Sequence, residues 1–146
     1  MRGPEIGLGT APVIEPTALP FREPAIRVTA MPADSNVYGD IFGGWLMGQM
    51  DLAAGLVAAR HAHGRAVTVA MDGMQFHAPV QIGDEVSVYA ELERVGRSSM
   101  TIAVEAWARN RHADEGNKVT EARFVFVAVD DERKPRVIAP IGVTNG

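Results

Sequence analysis

The chain has 146 residues, 47% of them hydrophobic, which suits one domain with a real core. Its formal charge of −4 supplies no cationic field for nucleic acid, and the lack of cysteine removes thiol nucleophiles, disulfides and thiolate zinc sites together. No apolar run approaches the roughly 18 residues of a membrane span and no signal-peptide layout opens the chain, so a cytoplasmic protein is expected.

Residues 1–24 stand apart, with prolines at 4, 12, 16, 20 and 24. Proline at that density defeats both helix and ladder. An extended or disordered arm is expected, or one that wraps a neighbouring subunit. Ala25 to Ala30 is a short candidate strand. The one long helix runs from Gly43 to about Arg60, with Leu46, Met50, Ala53 and Val57 as its buried stripe. Gly44, Gly48 and Gly55 lie on the other side with Asp51 among them. Interior glycine costs about 1 kcal/mol against alanine, so a ligand, a sheet or a second subunit should come close there.

Four strands follow, over Val67–Phe76, Glu85–Val95, Ser99–Asn110 and Val119–Asp130. In the second of these, Val86, Val88 and Leu92 alternate with Ser87, Tyr89, Glu91 and Glu93, which predicts one wet face. Val119–Asp130 is apolar on both faces and should lie inside the sheet. Short turns between the strands imply antiparallel neighbours. The folded unit spans residues 25–136, and 137–146 form a loose tail. One curved antiparallel sheet wrapped on one helix is an α+β arrangement.

The chemistry concentrates in Asn36-Val37-Tyr38-Gly39-Asp40-Ile41-Phe42-Gly43-Gly44-Trp45 and the helix as far as Asp51. A glycine-rich turn runs straight into a helix, with one carboxylate two turns inside. Backbone N–H groups that open a helix have no partner within it and can bind an oxyanion or a carbonyl. An oxyanion site beside a carboxylate is a kit for acyl transfer. Asp51 could instead be a solvated surface aspartate, Asn36 a turn residue, and Gly43-Gly44 a tight helix entry. Asp40 reads as a turn residue or local cap.

This segment resembles the signature of the YciA-type acyl-CoA thioesterases, which have the hotdog fold. The likeness runs from near Arg27 to about Arg136 and includes Ala30–Asp34, His63-Gly64-Arg65, Val67-Thr68-Val69, Gly83-Asp84, Val95–Ser99 and Phe126–Asp130. The resemblance implies one long helix wrapped by about five strands, and a homodimer whose strands pair edge to edge, assembled further as a trimer of dimers. It makes Asp51 the catalytic carboxylate, as general base or as nucleophile. Asn36, from the other chain of the pair, would orient the water or the thioester carbonyl. Gly43, Gly44 and Trp45 would give N–H groups to the thioester oxygen. Arg97, Ser98 and Ser99 would line the coenzyme A site, with Arg65 as a second cation. The implied substrate is acyl-CoA, and no cofactor is needed.

His61 and His63 suit a helix C-terminus, where cationic side chains are favoured. His77 precedes a loop proline. No carboxylate stands at metal-ligand spacing beside them, so no metal site is expected. There is no Gly-x-Ser-x-Gly elbow and no P-loop. Two rivals stay open. A hotdog dehydratase or hydratase would rely on a histidine with an acidic mate, which His77 lacks in the sequence. A non-catalytic acyl-CoA sensor would bind the thioester and leave it intact.

Overall fold

The computed structural model describes residues 15–142, and residues 1–14 and 143–146 of the expected arm and tail lie outside them. β1 (Ile26–Thr29), β2 (Ala66–Phe76), β3 (Glu85–Val95), β4 (Ser99–Arg109) and β5 (Asn117–Ala128) form one antiparallel sheet in the order β1-β3-β4-β5-β2. Helix α1 (Gly43–Ala62) lies across it. Among the described residues no helix is long and apolar enough to cross a membrane.

β3, β4 and β5 follow one another as neighbours, as short turns require. β2 does not. It pairs with β5 at the far edge of the sheet rather than with β3, which follows it in sequence. Residues 77–84 are long enough to cross between the edges, and they are tied down on the way. Gly83 N–H donates to the Ala30 carbonyl at 2.7 Å, and Ile41 N–H donates to Val80 at 3.3 Å.

α1 buries Leu46, Met50, Ala54, Ala58 and Ala62, one residue in every four, together with Ala53. The predicted stripe thus swings toward the alanines, and Val57 is only partly buried. Small side chains on that line let the helix sit close to Phe124, Phe126 and Met100 of the sheet. Gly55 faces the Phe126 ring, so the sheet itself is the close neighbour there. Gly48 looks into open space.

Two expectations about the surface need correction. The outer face of β3 is dry at Ser87 and Tyr89, which are 0% and 1% exposed. Arg27 Nε donates to Ser87 Oγ at 2.9 Å, and the Arg22 guanidinium lies 5.0 Å above the Tyr89 ring. Thr17 and Arg22 therefore tie the residue 17–22 segment to the chain's own sheet, with Thr17 and Gly116 exchanging backbone hydrogen bonds. Residues 137–139 are not loose either. Ile138 is buried and its N–H donates to the Arg97 carbonyl at 3.0 Å, while the His61 ring bonds the Ala139 carbonyl at 2.7 Å. A buried apolar side chain plus backbone pairing outweighs the ordering entropy of a few residues.

Candidate active site

The two ends of α1 are treated differently. At its C-terminus, His63 turns into the left-handed region (φ 52°) and the Arg136 guanidinium donates to the Ala62 carbonyl at 2.8 Å. At its N-terminus the capping residue is Phe42, which has no side-chain oxygen to offer. Trp45 N–H donates to the Phe42 carbonyl at 3.1 Å, which corrects its expected place among the free donors. Among the described residues, the N–H groups of Gly43 and Gly44 meet no acceptor. They point from the positive end of a 20-residue helix. Gly43 carries no side chain where Phe76 comes closest. A Cβ there would stand 3.1 Å from Phe76 Cζ.

Asn36 closes the loop that leads into this helix. Its Oδ1 accepts from Tyr38 N–H at 2.8 Å and from Asp40 N–H at 3.2 Å, and its own N–H donates to the Asp40 carbonyl at 2.7 Å. The turn role is thus filled by the amide oxygen and the backbone. The side-chain NH2 stays without a partner among the described residues. Gly39 supplies the positive φ (87°) that the loop needs. Asp40 is part of this turn through its backbone, as expected.

Asp51 is half-buried, two turns inside the helix. Thr68 Oγ1 of β2 donates to Asp51 Oδ1 at 2.6 Å. That bond engages one oxygen, and Oδ2 has no partner among the described residues. Thr68 lies in the Val67-Thr68-Val69 stretch of the resemblance but drew no role of its own there, since threonine between two valines is an ordinary strand pattern. No hydrogen bond or ion pair joins Asn36 to Asp51 among the described residues.

The candidate coenzyme A residues gather at the opposite end of the molecule from Gly43. Gly96 N–H closes the β3–β4 turn onto the Ser99 carbonyl at 2.8 Å. Ala128 N–H then donates to Ser98, Val129 N–H to Arg65, and Ile138 N–H to Arg97. One strand end thus binds the Arg65 and Arg97 segments together, beside the C-terminus of α1. Both arginines are exposed.

His77 has the acidic mate that was not visible in the sequence. Its Nε2 lies 3.6 Å from Glu121 Oε2, across the β2–β5 edge. The Glu121 carboxyl is held below the usual carboxylate range, first by a hydrogen bond from Lys118 and more weakly by His77. Among the described residues, no three His, Asp or Glu side chains converge to hold a metal ion.

The Thioesterase superfamily profile matches residues 38–114, more than half of the chain, from the Asn36 loop through β4. This protein belongs to the thioesterase superfamily. It is 58% identical over 131 residues to an uncharacterized acyl-CoA thioester hydrolase of Zymomonas mobilis, covering 90% of this chain and 87% of that one. It is 46% identical over 123 residues to the acyl-CoA thioester hydrolase YciA of Escherichia coli, covering 82% and 93%. The crystal structure of a hexameric thioesterase from Yersinia pestis superposes with a TM-score of 0.78 at 49% identity, over 83% and 98% of the two chains. The YciA resemblance and the hotdog arrangement of one helix on five strands are thus both met. Structures of a Staphylococcus aureus acyl-CoA hydrolase match at 29% identity, with TM-scores of 0.73 and 0.75, over 79% of this chain and 71% and 69% of theirs. They carry alanine in place of an aspartate and of an asparagine fifteen residues apart, the spacing of Asn36 and Asp51.

Proposed function

We propose that this thioesterase hydrolyses acyl-CoA to the free carboxylic acid and coenzyme A, with Asp51 as its catalytic carboxylate. The observation that carries the reading is the Thr68–Asp51 bond at 2.6 Å, a half-buried carboxylate aimed by a strand hydroxyl on a helix whose first donors are open. Oδ2 takes a proton from water as the water oxygen adds to the thioester carbon. The oxyanion rests on the N–H groups of Gly43 and Gly44, and its collapse breaks the C–S bond and releases the thiolate. Direct attack by Oδ2, followed by hydrolysis of the anhydride, uses the same atoms. A thiolate leaves easily, so carboxylate, water and a preorganised oxyanion site suffice.

The site is completed by a second copy of the chain. α1 is about 30 Å long, and the glycine donors and the Arg65–Arg97 cluster sit at its opposite ends. β2 is an edge strand with Val67 and Val69 exposed, and Leu52 and Leu56 are exposed on α1. Edge pairing of two copies covers these apolar side chains. An antiparallel pair also sets the Arg65, Arg97, Ser98 and Ser99 end of one copy near the Gly43 end of the other, where Asn36 of one chain serves Asp51 of its partner. The hexameric Yersinia thioesterase supports further assembly as a trimer of dimers. We place the enzyme in the cytoplasm, with its acyl-CoA substrates.

The test is thiol release from a panel of acyl-CoAs by the native protein and by Asp51→Ala. Release that falls at least about 100-fold in the variant is expected. Release that survives Asp51→Ala refutes the site. Tight binding of acyl-CoA without release refutes the enzyme and favours a sensor.

A further inference from the structure

We infer that the cavity between the Thr17 anchor and the residue 77–84 connection binds a small organic cation that carries two or more amino groups. The cavity has a volume of about 820 Å³, and its walls include Pro16, Gln81, Asp84, Asp114, Glu115 and Asn117. That is within the usual size of small-molecule sites. Pro16 comes from the segment that Thr17 ties to Gly116. Pro16, Glu115 and Asn117 all lie outside residues 38–114, which the superfamily profile matches. None of these walls enters the thioester chemistry proposed above.

Charge in this cavity has one sign. Among the described residues that line it there are three carboxylates, those of Asp84, Asp114 and Glu115, and no lysine, arginine or histidine. Arg109 is close by but already engaged, since it donates to the Asp114 main-chain carbonyl at 3.3 Å and to the Glu85 carboxylate. Two of the lining acceptors are buried. Asp84 is 9% exposed; its Oδ2 accepts from Gln81 N–H at 3.0 Å, and its Oδ1 meets no donor among the described residues. Asn117 Oδ1 is sealed from solvent and also meets no donor there. Buried acceptors are as a rule hydrogen-bonded, and a buried carboxylate is best matched by a charged donor. A ligand for these walls therefore brings N–H groups and positive charge. No three His, Asp or Glu side chains among the described residues converge enough to hold a metal ion. The carboxylates are thus spread round the wall, which suits ammonium groups strung along a chain, each with three donors, rather than a point cation.

The test is isothermal titration calorimetry of the full chain with spermidine, beside putrescine and magnesium chloride at equal ionic strength. Saturable binding of spermidine is expected, with putrescine several-fold weaker and magnesium unable to displace either. Asp84→Asn keeps the size of the side chain, removes its charge and should weaken spermidine binding about 10-fold or more. Asp114→Asn combined with Glu115→Gln changes only exposed residues, leaves the fold intact and should weaken it several-fold. Glu132→Gln removes one charge elsewhere on the surface and should leave the affinity unchanged. No saturable spermidine binding by the native chain overturns the inference. So does a loss from Glu132→Gln equal to that of the cavity variants, which would show general attraction to a chain of charge −4. Magnesium that competes as well as spermidine overturns the amine assignment.

Discussion

Thr68→Val is the sharpest perturbation of the proposed centre. Valine keeps the β-branched shape that suits β2 and removes only the hydroxyl. Thr68 is exposed on an edge strand, so the fold should not register the change beyond about 0.5 kcal/mol. What disappears is one hydrogen bond, 2.6 Å long, onto Asp51 Oδ1. A hydrogen bond to a charged acceptor contributes roughly 1.5–3 kcal/mol, and the low end applies because the carboxylate is only half-buried. If the bond aims Oδ2, about 1.5 kcal/mol is lost in the transition state, a fall of about 10-fold in kcat. Little of it should fall on KM, since Thr68 holds the carboxylate and not the coenzyme. The assay is a double-mutant cycle of thiol release with Asp51→Ala. Once the carboxylate is gone, removing the hydroxyl should cost almost nothing further. Equal losses from Thr68→Val in both backgrounds would show that the hydroxyl acts independently of Asp51 and refute the assignment.

The coenzyme end, the tail and a surface pair give three more predictions. Arg97→Ala should raise KM for acyl-CoA several-fold with kcat kept, and leave unchanged the KM for an acyl thioester lacking the nucleotide; a uniform change across both substrates denies Arg97 its phosphate. Ile138→Ala removes a buried side chain and should lower unfolding stability by about 2–4 kcal/mol in urea titration, whereas a loose tail would give no shift. Glu121 has its native pKa depressed, so its contribution is complete above the unfolded-state value and is lost as pH falls through the native one. The stability cost of Lys118→Ala should therefore be a few tenths of a kcal/mol at neutral pH and shrink progressively as pH falls below the ordinary glutamate value of about 4.3; a cost that does not shrink in acid shows that Lys118 acts through packing instead.

Local patterns in the sequence carried the elements well, and contacts between elements carried the surprises. β3 was legible to the residue, because alternation and the Gly96 turn bound it on both sides. Its wet face was misread because Arg22 and Arg27 cover Ser87 and Tyr89 from positions about sixty residues earlier, which periodicity cannot express. Ile138 failed for the same reason, since its burial depends on Arg97 and the end of α1. In the proposed site, Gly43, Gly44 and Asp51 draw notice because glycine and aspartate inside a helix break a local rule, whereas Asn36 takes its proposed role from the family resemblance alone. Thr68 breaks none, and only the approach of β2 to α1 gives it a role.

The asymmetry of α1 ties the fold to the reaction. Its last carbonyl, that of Ala62, is met by the Arg136 guanidinium, which offsets the negative end of the helix. Its first N–H groups are left open by a capping phenylalanine and two glycines, although serine or aspartate at that position would add about 1 kcal/mol of stability. A stabilising cap forgone at one end of a helix and supplied at the other is a local inconsistency of the kind that marks a site. An acceptor for these groups has to be negative or carbonyl-like and small enough to reach two adjacent N–H groups. A thioester oxygen on its way to an oxyanion has those properties, and its interaction strengthens as the charge develops, which is the condition for accelerating the step rather than merely binding the substrate.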